Sequence, residues 1–328
     1  MDLYIFNPEH DIMLAANRDR TTPPRAAREL RHDLGFLPAL WAQKGDVVLV
    51  DDASFAHKAF AATGRELQAT LVDRHMARQL LRSVPPSELR LCPWGWDRSI
   101  VRELREIGVA SEWLPTDVQL DAIRRMSHRA WAAENLLTPL REAPGTIGES
   151  HAATTLDSCL NLLQRHSNVM AKAPWSSSGR GVRPLSAHDL TPSTQGWLTR
   201  IIADQGAVMI EPYYNKVLDF GVELTSDGHG SVHFNGLSLF YTEHGAYVGN
   251  LVIDESAKWQ LLSAYIDRQP LTHLIDRLCL LLGDALRNVY AGPLGIDMMV
   301  VRQDDTLLLH PCVEMNLRAT MGHVALLV

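Results

Sequence analysis

Lys172 ends an apolar run and is followed by Ala173-Pro174-Trp175-Ser176-Ser177-Ser178-Gly179-Arg180-Gly181, a loop of mostly small residues. Small side chains let backbone N–H groups approach phosphate oxygens, and a lysine ammonium adds a point charge. The order is not that of the P-loop GxxxxGK[ST], because the lysine precedes the loop. Alone, the segment reads equally well as a surface loop with a lysine at a strand end. Yet only five of the 31 basic residues are lysines, so a lysine at this point is an uncommon event. A second group lies further on. Asp297 interrupts the apolar run Gly295–Met299, and seventeen residues later Glu314 does the same, followed by Asn316. If these strands pair antiparallel, the three oxygen-bearing side chains can lie side by side, because positions i and i+2 share a strand face. Two carboxylates and an amide oxygen form a hard oxygen set suited to Mg²⁺ bound with nucleotide phosphates. Solvent-facing polar residues at a strand end are the alternative, and the apolar Val313, Met315 and Leu317 between them weigh against it. A third segment, Val208–Ile210, runs into Glu211-Pro212-Tyr213-Tyr214, and Asp219-Phe220-Gly221-Val222-Glu223 opens another apolar stretch. By itself this resembles the stop of an edge strand.

Near the start, Leu3–Phe6 leads into Asn7-Pro8-Glu9-His10-Asp11, an amide, two carboxylates and an imidazole beyond a strand end. Ligands of open α/β sheets bind beyond the carboxyl ends of strands, so this cluster is a substrate-site candidate. Arg25, Arg28 and Arg31 follow at helical spacing, a ridge able to recognise a carboxylate or phosphate, or an ordinary solvated basic face. His10 and His310 form no zinc pattern with any cysteine, and Trp94, Trp96 and Trp113 read as packing residues.

These residues need elements to hold them. Leu3–Phe6, Asp46–Asp52 and Leu89–Cys92 read as strands, with helical composition at Ala53–Thr63, Asp73–Ser83 and Arg98–Ile107. The alternation argues for a parallel α/β sheet. Residues 117–137 read as one helix and Leu140–His151 as a loop or linker. A helix over Leu156–Leu163, a strand Val169–Ala173, a helix over 193–204 and a strand Ala207–Glu211 follow. Val217–Leu224 and Ser231–Tyr241 alternate as antiparallel strands around Asp227-Gly228-His229-Gly230. Residues 271–290 carry a helical apolar stripe, and Leu294–Val301 and Thr306–Val313 are strands around Gln303-Asp304-Asp305.

The composition narrows the function classes. The chain has 328 residues, 46% of them hydrophobic and 21% charged, enough for a sizeable core without staples. A net charge of −7 excludes a strongly basic, nucleic-acid-coating protein. No apolar stretch reaches the length of a membrane span, and the opening Met1-Asp2-Leu3-Tyr4 lacks the basic region of a signal peptide. Cys92, Cys159, Cys279 and Cys312 are scattered, which favours reduced thiols in a cytoplasmic protein. A homodimer is the default assembly for such a chain.

The order of the segments is what makes them specific. A lysine with a small-residue loop, a strand ending Glu-Pro-Tyr, Asp-Phe-x-x-Glu, Gly-x-Asp and Glu-x-Asn succeed one another, and residues 117–325 thereby resemble the ATP-grasp superfamily. The opening likewise resembles that of uncharacterised bacterial ATP-grasp proteins. The resemblance implies a Rossmann-like parallel domain over 1–116, a small ATP-grasp subdomain over 117–206 and a C-terminal subdomain over 207–328, with antiparallel sheets clasping ATP. It implies that Lys172 contacts the ATP phosphates under a flap formed by Ser176, Ser177, Ser178, Gly179, Arg180 and Gly181. Glu211 with Pro212, Tyr213 and Tyr214 would read the adenine edge, and Asp219 the ribose. Asp297, Glu314 and Asn316 would hold Mg²⁺, with Arg318 near the γ-phosphate. The superfamily usually has a second basic residue on an earlier strand. No lysine lies between Lys58 and Lys172, and Arg124, Arg125, His128 or Arg129 could substitute. The implied activity is an ATP- and Mg²⁺-dependent ligase joining a small-molecule or peptide carboxylate to an amine through an acyl phosphate. Asn7, Glu9, His10, Asp11, Arg25 and Arg28 are then candidates for the substrate site. A small-molecule kinase and a non-catalytic nucleotide-binding module are the alternatives.

Overall fold

The computed structural model describes residues 1–176, 181–243 and 246–327. The chain divides into two units, residues 1–124 and residues 125–326. The division falls inside the helix Asp117–Met126, whereas the sequence pattern set a boundary before that helix.

The first unit is a four-stranded parallel sheet in the order β3-β2-β1-β4, formed by β1 (Asp2–Ile5), β2 (Val47–Leu49), β3 (Thr70–Val72) and β4 (Arg90–Pro93). Side chains alternate across it. Leu3, Ile5, Val47, Leu49 and Val72 pack with the helices Arg74–Leu81 and Arg98–Glu106 through Ala77, Ile100, Val101 and Leu104. Val48, Val50 and Leu71 pack on the other face with Phe36, Ala56 and Phe60. Three helices start at aspartates: Asp52, Asp73 and Asp97 each accept a hydrogen bond from a first-turn N–H. β1 continues to one side through β2 and to the other through β4, so the sheet reverses direction between β1 and β4. Such a switch point opens a crevice at the carboxyl ends of the strands.

The second unit holds two antiparallel sheets. One has the order β5-β8-β6-β7, from β5 (His151–Ala153), β6 (Asn168–Lys172), β7 (Val182–Ser186) and β8 (Val208–Pro212). The helices Leu156–His166 and Pro192–Gln205 cover it through Cys159, Leu163, Leu198 and Ile201. The other has the order β11-β10-β9-β12-β13, from β9 (Lys216–Ser226), β10 (Val232–Glu243), β11 (Ala246–Asn250), β12 (Gly292–Gln303) and β13 (Thr306–Asn316). Leu294, Ile296, Met298 and Val300 of β12 are wholly buried on one side, and the helix Arg268–Leu286 packs on this sheet with its stripe Leu271, Leu274, Leu278 and Leu282. The opposite face of β12 carries Gly295, Asp297 and Met299.

The expected single helix over 117–137 is broken. It ends at Met126; His128 caps a new turn at Arg129–Ala132, a wide turn covers Ala133–Leu137, and Thr138–Leu140 completes it. Proline at position 139 cannot donate to the preceding helix, which fits the widened turn before it. Of the segment Leu140–His151, read as loop, Leu140 still belongs to that last helical turn and His151 begins β5, with no helix or strand between them.

Candidate functional site

The register of the larger sheet sets the metal-ligand candidates side by side. Asp297 of β12 stands directly opposite Glu314 of β13, and Gly295 opposite Asn316. On the other flank Asp297 faces Gly221 of β9, and Gly295 faces Glu223. Directly opposed residues share a sheet face. The pairing on β13 shifts between Asp297 and Met299, whose partner is His310, so the strand bulges across Pro311 to Val313. Proline removes one ladder donor there, and such bulges re-aim side chains beside functional sites.

The two carboxylates are electrostatically strained. Asp297 is pushed up to about 8, first by burial and then by the charges of Glu314 and Glu223. Arg129 Nη2 sits 2.6 Å from Glu314 Oε1. Arg318 Nη2 donates to Asn316 Oδ1 at 2.9 Å. The acidic pair therefore keeps oxygens available beside one arginine, and a divalent cation would relieve the repulsion that raises Asp297. The donor set, two carboxylates and an amide oxygen, fits Mg²⁺.

Arg129 also orders the start of the small-residue loop. It is buried, donates to the Ala173 carbonyl, to Ser176 Oγ at 2.8 Å and to the Ser176 carbonyl at 3.2 Å. Among the basic residues that could replace the missing lysine, Arg129 is the one placed on the loop and the acidic pair. Arg124 instead donates to the Leu14 carbonyl in the first unit. Gly181 closes the loop with φ +73 and its carbonyl accepts from Ala173 N at 2.8 Å. Ser177, Ser178, Gly179 and Arg180 lie outside the described residues.

Lys172 ends β6 and forms a buried ion pair with Glu211 on β8. Met170, two residues earlier on β6, pairs with Glu211 in the antiparallel register. Ser150 Oγ donates to the other oxygen of Glu211 at 3.0 Å. Tyr213 is exposed, while Tyr214 packs edge-on against His310 with centroids 5.7 Å apart. His310 is buried, neither ring nitrogen has a hydrogen-bond partner, and burial with the Lys172 charge pulls it down to about 4. Asp219 is engaged by Lys216 and accepts from Thr242 Oγ1 at 3.0 Å.

Glu223 braces the segment beyond Arg318. Ser238 and Thr320 hydroxyls donate to it at 2.6 and 2.8 Å, and His323 Nδ1 lies 2.9 Å away. Burial alone would raise its carboxyl, but these bonds outweigh that and hold it below the usual range. A Cβ on Gly322 would stand 1.9 Å from Glu223 Oε1, so only glycine admits this approach.

In the first unit the Asn7–His10 cluster folds against the loop after β4. Asn7 Nδ2 donates to the Gly95 carbonyl at 2.9 Å. His10 Nδ1 lies 3.2 Å from Asp97 Oδ2, and both side chains are buried. The other oxygen of Asp97 caps the helix Arg98–Glu106, accepting from Ser99 N at 2.8 Å and Ile100 N at 3.0 Å. The Asp97 carboxyl beside Nδ1 orients the ring and turns Nε2 away from it. His10 Nε2 and Glu9 Oε2 are both buried without a hydrogen-bond partner. Glu9 Oε1 accepts from Arg31 at 2.8 Å, and Arg31 also bonds Glu103 at 2.7 Å. Arg31 thus turns inward and is not part of an open basic ridge, because three carboxylates, Glu9, Glu103 and Asp51, surround it. Arg25 and Arg28 stay exposed, Arg25 paired with Glu29, and Asp11 lies in the first turn of the helix His10–Ala16.

Sequence reasoning passed over Asp97. Its Pro93-Trp94-Gly95-Trp96-Asp97 stretch directly follows a strand, the same signal that marked Asn7–Asp11. Trp94 itself packs edge-on against Phe6, as expected of a packing residue.

The sequence matches no protein-family model and no curated protein. Its structure is similar to solved ones. Over 99% of this chain and 67% of the other, it superposes on biotin carboxylase from Campylobacter jejuni in complex with β,γ-ATP, with TM-score 0.56 and 14% identity. The biotin carboxylase domain of the Hydrogenobacter thermophilus 2-oxoglutarate carboxylase, solved with MgADP and bicarbonate, matches with TM-score 0.53 and 13% identity over 98% of this chain and 65% of that one. N5-carboxyaminoimidazole ribonucleotide synthetase from Thermus thermophilus gives 0.52 and 16% identity over 98% and 73%. The likeness shows the fold: a parallel four-stranded sheet with antiparallel ones, the architecture expected from the ordered motifs, is common to this chain and these neighbours.

Proposed function

We propose that the protein is an ATP- and Mg²⁺-dependent ligase that joins a small-molecule or peptide carboxylate to an amine. The observation that carries this reading is the register placing Asp297 opposite Glu314, with Asn316 and the paired arginines Arg129 and Arg318 beside them. Support comes also from the fold, which in the Hydrogenobacter domain holds MgADP.

In this reading Asp297, Glu314 and Asn316 hold Mg²⁺, which neutralises phosphate charge when bound. Lys172, fixed by Glu211, contacts the phosphates, and the loop Ser176–Gly181 covers them. Arg129 and Arg318 stabilise charge developing on the transferred phosphoryl group. Glu211 through Tyr214, with neutral His310 beneath, receive the base, and Asp219 the ribose. The substrate carboxylate attacks the γ-phosphorus, the bond to the bridging oxygen breaks, and ADP leaves. The amine then attacks the acyl carbon, and phosphate departs as the amide forms. Excluding water matters because it would hydrolyse the acyl phosphate.

The switch point of the first unit holds the proposed substrate residues. His10 Nε2 and Glu9 Oε2 are buried with no hydrogen-bond partner, and Asp97 orients the His10 ring. Asn7, Asp11, Arg25 and Arg28 complete the substrate candidates. The four unpaired cysteines fit a cytoplasmic enzyme, and no described helix is long and apolar enough to cross a membrane.

The test is phosphate release across a panel of acids and amines. The expected result is release only when acid and amine are both present, falling on the order of 10²-fold or more in Glu314→Gln. A stable phosphorylated product formed without an amine would replace the ligase by a kinase.

A further inference from the structure

A second cluster of metal-ligand type lies on the smaller antiparallel sheet, apart from Asp297 and Glu314. Glu149 and His151 flank Ser150 where β5 begins, and their side chains meet, while the Ser150 hydroxyl bonds Glu211. His166 ends the helix Leu156–His166, which packs on β5, and its ring stacks on that of His151 at 6.3 Å between centroids and 24° between planes. Glu149 Oε2 lies 3.2 Å from His151 Nε2 and 3.8 Å from His166 Nε2. One donor atom from each of the three residues lies within 4.8 Å of the others. The contact between Glu149 and His151 accounts for one ring. It leaves His166 Nε2, which is buried and has no hydrogen-bond partner.

We propose that Glu149, His151 and His166 bind a divalent transition-metal ion of the Zn²⁺ class. Two imidazoles and a carboxylate suit zinc and its neighbours, whereas Mg²⁺ takes oxygen ligands. A tetrahedral ion with bonds of about 2.1 Å draws its ligand atoms to about 3.4 Å from one another. His151 and Glu149 are about one-third exposed, so small rotations close the gap. Arg165, 3.7 Å from Glu149 Oε2, is 63% exposed and holds only a weak surface contact that an ion displaces. Three protein ligands leave a position for water or a further ligand. The bound ion ties the start of β5 to the end of its helix. Through Ser150, it also steadies Glu211, the partner of Lys172.

The site stands independently of the ligase reading. The test titrates Zn²⁺ into the full, untagged chain against a chromophoric chelator with Mg²⁺ in excess. One tight equivalent is expected, unaffected by Mg²⁺, lost in the double variant His151→Gln/His166→Gln and retained after alkylation of the four cysteines. The thermal unfolding transition of the double variant reports whether it folds. If it does not, Co²⁺ added to the wild-type chain decides, since a tetrahedral nitrogen and oxygen site gives visible absorption without the thiolate charge-transfer band. No stoichiometric equivalent, one that survives the double substitution, or one abolished by alkylation would overturn the proposal.

Discussion

Asp297, the candidate metal ligand on β12, is held at the expense of stability. Its carboxyl is pushed up to about 8, so the folded chain keeps a proton that the unfolded chain releases near pH 4. The unfolded state then binds fewer protons between those values, and stability falls as pH rises from about 4 to 8. Asp297→Asn removes the ionisation. The variant is expected to melt higher than wild type near pH 8 without nucleotide, the gain shrinking toward pH 4, while it loses any response to Mg²⁺. Melting curves over that pH range check this, and an unchanged or lower melting temperature at pH 8 would refute it. The set of Asp297, Glu314 and Asn316 was legible in the sequence because strand alternation alone predicts that i and i+2 share a face and that antiparallel partners oppose. Arg129 was one of four alternatives, since choosing it requires knowing that the helix breaks at His128 and returns its guanidinium to Glu314. His310 was set aside for lack of a zinc spacing, although its buried, unpartnered ring packs against Tyr214.

At the scale of elements, the loops after β1 and β4 meet because the sheet order reverses between them. Their key contact, His10 to Asp97, spans 87 residues of sequence, and no local pattern announces it. Gly95 is part of the same arrangement, since a Cβ there would stand 2.5 Å from the His10 ring. If His10 receives the amine, His10→Gln and Asp97→Asn should each lower kcat/KM for the amine on the order of 10²-fold, leaving nucleotide binding intact. Equal losses in nucleotide binding would instead assign the pair to folding. Long elements with strong periodicity, such as β12, β13 and the helix Arg268–Leu286, were readable directly. Of the three-residue strands, β2 was readable from its run of Val and Leu, but β3 and β5 were not: they give the 2-residue period too little length, and β5 hides at the end of a polar stretch. The cluster of Glu149, His151 and His166 was invisible for that reason, since it forms where β5 meets the end of its covering helix.

For the whole molecule, the fold rests on segment order more than on identity, since the structural neighbours share only 13–16% of residues with this chain. In this chain a strand ending in Lys172, a strand end at Glu211 and the facing strands of Asp297 and Glu314 are each tied to a sheet position. The net charge of −7 is matched locally by ion pairs: Lys172 is paired with Glu211 and Arg129 with Glu314, while Arg318 donates to Asn316. The central claim is that these residues form a working Mg·ATP site. The most direct measurement is the melting temperature with millimolar ATP, with and without Mg²⁺, for wild type, Lys172→Ala and Glu314→Gln. The expected result is a rise of a few degrees in wild type that requires Mg²⁺ and is lost in both variants. No rise in wild type, or the same rise in both variants, would contradict it.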